Sequence, residues 1–194
     1  MKKIELQLAF LIAIIFLAAF SRLYSQVYNF SPLAAIGLFG AAHFFRKWQA
    51  FLIPIAATWV SDLYVNNVVY AQYNPEFVWF YQGFYWQYGS YLLITVLGLW
   101  LFRKRITVGN VLLGAVASGL LFFLVSNFGV WLTSGLYPLS WSGLQACYVA
   151  AIPFYKGTAL GDLFFAAALF GGYYLLQRQF SALRMSHLRY GTAE

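Results

Sequence analysis

Long apolar runs alternate along this chain with short clusters of polar and basic residues. A helix that crosses a bilayer needs about 20 mostly apolar residues, and six segments approach that length: residues 5–24, 30–45, 48–65, 89–102, 107–131 and 158–176. The second and fourth are short. Turn-forming residues fall between the runs, as at Ser31-Pro32, Asn74-Pro75 and Tyr137-Pro138. The pattern predicts an all-α integral membrane bundle of six transmembrane helices, built as a single domain over residues 1–194.

Two connections are long, residues 66–88 between the third and fourth runs and residues 135–157 between the fifth and sixth. The first is crowded with aromatics. Within the second, residues 140–154 read as a short helix on the membrane surface or a partly inserted one. Ser140 suits its N-cap, and Pro153 is expected to end it, since proline lacks the N–H that the next turn requires.

Basic residues orient the bundle, because Lys and Arg in short loops stay on the cytoplasmic side. With both termini inside, ten of the twelve fall on that side: Lys2, Lys3, Arg46, Lys47, Arg103, Lys104, Arg105, Arg178, Arg184 and Arg189. Arg22 and Lys156 fall outside. Lys2 and Lys3 ahead of the run 6–20, with Ala19-Phe20-Ser21 at its end, have the outline of a secretory signal. No polar mature stretch follows, so a retained first helix is expected.

Composition adds an exclusion. Hydrophobic residues make 62% of the 194 and charged residues 9%, against about 25% charged in soluble domains, so a water-soluble globule is ruled out. The net charge of +7 is then a topology signal rather than a mark of nucleic-acid binding. One cysteine, Cys147, excludes an internal disulfide, and it reads as a small buried hydrophobe. Neither His43 nor His187 has Cys, Asp or Glu at ligand spacing, and no phosphate-binding glycine loop occurs. The expectation is a protein that is not an enzyme and carries no metal or cofactor.

Four polar residues interrupt the apolar runs near what the topology makes their outer ends: Arg22, Asp62, Asn127 and Asp162. Polar groups at such depth are costly. They either line a ligand pocket or hold helices together, with Arg22 paired to one of the acids. Aromatic residues make 22% of the chain. Tyr70, Tyr73, Phe77, Trp79, Phe80, Tyr81, Phe84, Tyr85, Trp86 and Tyr88 form either an interfacial belt or a surface for stacking on a heterocycle. Trp86 and Trp131 complete the candidate ligand set. Small residues at spacing four mark close-packing faces: Ala9 and Ala13, Gly37 and Ala41, Gly114 and Ser118, Ala168 and Gly172.

The segments Asn29-Phe30-Ser31-Pro32-Leu33-Ala34-Ala35, Ser61-Asp62-Leu63, Ser126-Asn127-Phe128 with Trp131, and Tyr137-Pro138 on through Gly143-Leu144, Cys147-Tyr148, Ile152-Pro153-Phe154 and Gly161-Asp162 resemble an uncharacterised family of small bacterial membrane proteins. The chain more distantly resembles the substrate-binding S components of energy-coupling-factor vitamin transporters, and Ala9-Phe10-Leu11-Ile12-Ala13 is similar to the alanine motif with which those subunits dock on their transmembrane partner. The resemblance implies a multi-pass protein of the bacterial inner membrane that binds a small vitamin-like molecule under its outer loops. Ala9 and Ala13 would then meet a coupling protein that carries ATPase subunits. The competing expectation is an accessory subunit of a larger membrane complex, its aromatic loops touching protein, lipid or pigment.

Overall fold

The computed structural model describes residues 3–24 and 29–184. Lys2, His187 and Arg189 lie outside them. Helix α1 (Lys3–Ser21) closes with a 3-10 turn at Arg22–Tyr24, and α2 (Leu33–His43) and α3 (Lys47–Tyr64) follow. Next come α4 (Phe84–Leu101), α5 (Val108–Thr133) and α6 (Trp141–Gln179), the last with a π-helical turn at Ala167–Gly171. No strand occurs among the described residues. The protein is all-helical, and three helices are long and apolar enough to cross a membrane: Lys3–Tyr24, Val108–Thr133 and Trp141–Gln179. Their outward faces carry Leu17, Leu112, Leu113, Val116, Leu120, Leu160 and Phe164, all exposed. An apolar surface of this kind suits lipid as its solvent.

Helix α2 is the axis of the bundle. It touches all five other helices, and each of its 11 residues is buried. At 1.5 Å per residue it is about 16 Å long, shorter than the expected segment 30–45. Small residues let α4 approach it closely. A methyl group at Gly98 would lie 2.7 Å from the Ala41 side chain, and one at Gly37 would lie 3.4 Å from Thr95 Oγ1. Gly114 of α5 leaves similar room for Leu38. The expected close-packing faces on α2 and α5 are therefore in use. Ala168 and Gly172 of α6 are not, since Ala168 is exposed and nothing approaches Gly172 within 4 Å.

One end of the bundle is tightly filled. His43 is fully buried, bonds to the Phe39 carbonyl at 2.9 Å, and packs its ring against Phe39, Phe170 and Tyr173. Gln7 of α1 donates to the carbonyls of Ala182 and Arg184, which pins the chain after α6 against the start of α1. The basic residues Lys3, Arg46, Lys47 and Arg103 to Arg105 flank the helix termini at this end.

Two sequence expectations need correction. Pro153 does not end a surface helix; α6 runs unbroken from Trp141 through it, joining the expected segments 140–154 and 158–176. Proline removes one backbone hydrogen bond. Packing along α5, the most extensive helix pairing in the molecule, outweighs that loss. Ser140 does cap the start, accepting from the Gly143 N–H at 3.2 Å. Helix α4 begins at Phe84, five residues before the expected start at residue 89, following Gly83 in the left-handed conformation at φ 78°.

Candidate functional site

The opposite end of the bundle is hollow. A cavity of about 1020 Å³ lies among the ends of α1 to α6 and the segments that join them. It is large enough for a metabolite-sized ligand. Of the six candidate ligand residues, Arg22, Trp86, Asn127 and Asp162 line it, whereas Asp62 and Trp131 do not.

Asp62 stands behind Arg22. Its Oδ1 accepts a charge-assisted bond from the Arg22 guanidinium, and its Oδ2 accepts from the Tyr88 hydroxyl at 2.6 Å. The side chains of Arg22 and Asp62 are 15% and 9% exposed. The expected pairing of Arg22 with an acid thus forms, tying α1 to α3, and Tyr88 extends it to α4. Both carboxylate oxygens are occupied, which is the condition for holding a buried charge at tolerable cost. Trp131 donates its indole N–H to the Pro138 carbonyl at 2.9 Å, securing the turn between α5 and α6.

Asp162 is placed differently. It is 3% exposed, and its Oδ2 has no hydrogen-bond partner among the described residues. Gly119 of α5 makes room for this carboxylate, since a methyl group there would sit 2.9 Å from Oδ2. Gly161 beside it admits the backbone of Phe30 and Ser31 in the same way. Trp86 is the second cavity residue with an unmet group. Its indole lies against Gly129, where a methyl group would come within 2.2 Å of the ring, and its N–H is buried without a partner among the described residues. Buried polar groups are almost always satisfied, so two unmet ones on a single cavity call for an explanation.

Asn127 donates to the Phe123 carbonyl one turn back on α5 at 2.8 Å, and its own carbonyl faces the Cys147 thiol at 3.4 Å. Cys147 is buried beside the cavity. Tyr91 and Phe122 add ring surface, stacked at 5.6 Å with 11° between their planes. The chain belongs to the family of unknown function DUF6580. The family model matches residues 2–183. No curated protein and no solved structure matches the chain.

Most of the aromatic stretch serves as an outer layer. Tyr73, Phe77, Trp79, Phe80 and Tyr85 are exposed, and Tyr70 and Trp86 are its members that line the cavity. The stretch is held in shape by Asn67, which donates to the carbonyls of Leu63 and Val78 and accepts from the Val78 N–H. Trp59 stacks on Trp79 and donates to its carbonyl. Sequence reasoning missed Ser31, Gln87, Ser126, Tyr155 and Thr158 as lining residues. It also missed Tyr88 as the second partner of Asp62. A signal existed for Tyr88, because a carboxylate offers two oxygens and Arg22 bonds only one of them. Among the described residues no group of three His, Cys, Asp or Glu side chains gathers to hold a metal.

Proposed function

We propose that this protein is a membrane-embedded binding subunit that captures a small, vitamin-like nutrient at the outer face of the bacterial inner membrane, in the manner of the S components of energy-coupling-factor transporters. On this reading the chain passes the membrane six times with both termini in the cytoplasm. The filled, basic end faces inward and the hollow end faces outward. Uptake is driven by a partner that carries ATPase subunits. The single observation that carries the reading is the cavity of about 1020 Å³ with unmet polar groups on Asp162 and Trp86. A subunit that only filled space in a complex would gain nothing from leaving them unpaired. Ala9 and Ala13 lend further support: both are exposed on the face of α1 turned away from the bundle, flat enough to admit a helix of another chain.

The test is mass spectrometry of small molecules retained by the protein purified in nanodiscs. Ala151 lines the cavity, and Ala151→Trp fills part of it. A molecule enriched with the native chain and lost from a folded Ala151→Trp variant is the expected result. Equal recovery from both, or none from either, contradicts the reading. Orientation is tested in a Cys147→Ser background, where cysteines at Glu76 and at Lys104 should label from opposite faces with an impermeant reagent. Labelling of both from one face contradicts the six-pass arrangement. Trp at Ala9 or Ala13 should spare binding and abolish uptake; surviving uptake removes those residues from the coupling surface.

A further inference from the structure

We infer that the ligand of the cavity is a small aromatic or heteroaromatic cation whose charged N–H group bonds Asp162, with a hydrogen-bond acceptor elsewhere on the molecule for the Trp86 indole N–H. This names the substrate class for the binding reading above and rests on it. The argument starts from the charges. Arg22 and Asp162 are the charged side chains among the described lining residues, and Arg22 is already neutralised by Asp62. The cavity therefore presents one uncompensated acid. Its Oδ2 has no donor among the described residues, and the side chain is 3% exposed, so water in the bulk does not serve as the partner.

An anion would meet Asp162 without a free cation to receive it. A neutral acceptor would leave Oδ2 unmet. An N–H cation satisfies Oδ2 and compensates the charge together. Ring surface favours the same class, because Tyr91, Phe122, Phe123 and Tyr155 line the cavity and aromatic faces attract cations. The unpartnered Trp86 N–H, a donor, makes a second and independent demand, that the ligand also carry an acceptor. A bare metal ion would compensate Asp162 but leave the second demand unmet, since an indole N–H cannot coordinate it.

The test uses a charge series on one ring: benzamidine, benzamide and benzoate, each titrated into the nanodisc protein with binding followed by calorimetry and thermal shift. Benzamidine should bind at least tenfold more tightly than benzamide, and benzoate most weakly. Asp162→Asn should bring benzamidine down to the level of benzamide. Tightest binding of benzoate, equal binding of all three, or a cation preference kept by Asp162→Asn overturns the inference, while the binding reading stands on the retained-molecule experiment. Absence of benzamidine binding at millimolar concentration also overturns it. Because the series on the native chain ranks the charges without any substitution, a variant that failed to fold would leave the inference open to refutation.

Discussion

Two acids sit in apolar surroundings in this protein, and their neighbourhoods differ in one respect. Around Asp62 every oxygen is used: Arg22 bonds one and Tyr88 the other, and three helices are joined by the result. Around Asp162 the helices come just as close, with Gly119 and Gly161 clearing space, yet Oδ2 is left without a donor. Burial alone does not distinguish the two, since Asp62 and Asp162 are 6% and 3% exposed. Satisfaction does. A buried ion whose bonds are closed within the fold acts as structure, and a buried carboxyl group left short of a partner beside a cavity is available to a ligand.

The contrast is broken or sharpened by substitution. Asp62→Ala should have the largest effect, about 3–5 kcal/mol lost from folding, because it leaves the Arg22 guanidinium buried without its counter-ion. Thermal unfolding or the yield of monodisperse protein reads it. Tyr88→Phe keeps the pair and removes one hydrogen bond to a charged group, and should cost about 1.5–3 kcal/mol. Gly98→Ala should cost roughly 1–3 kcal/mol by wedging α2 from α4, where the added methyl would stand 2.7 Å from Ala41. Asp162→Asn should have the smallest effect on the unliganded protein, about 1 kcal/mol or less and in the stabilising direction. The change preserves the shape of a buried side chain whose Oδ2 lacks a partner among the described residues. A large loss from Asp162→Asn would erase the distinction between the two acids.

Much of this was legible in the chain. Each of the six apolar runs marks a helix, because lipid and core both demand continuous apolar surface. Arg22, Asn127 and Trp86 meet on one cavity because each lies near the same end of its helix, whereas Asp162, expected near a helix end, reaches it from the middle of α6. Helix ends were less legible. The residues Phe84 to Tyr88 read as interfacial aromatics, although Gly83 already marks the turn from which α4 starts. Pro153 read as a stop because its local cost is plain in the sequence, while the pairing of α6 with α5 that offsets it is a property of the assembled bundle. The role of Asp62 depended on Tyr88, which reaches it only through the approach of α4 to α3.

The central claim is that Asp62 holds the fold and Asp162 holds the ligand. It is tested most directly by the thermal unfolding of the native chain, Asp62→Asn and Asp162→Asn in nanodiscs, each with and without benzamidine. The account predicts that Asp62→Asn unfolds at a markedly lower temperature, that Asp162→Asn alone unfolds at or above the native temperature, and that the rise on adding benzamidine is present in the native chain and absent from Asp162→Asn. Equal destabilisation by the two substitutions, with the benzamidine response intact in Asp162→Asn, would contradict it.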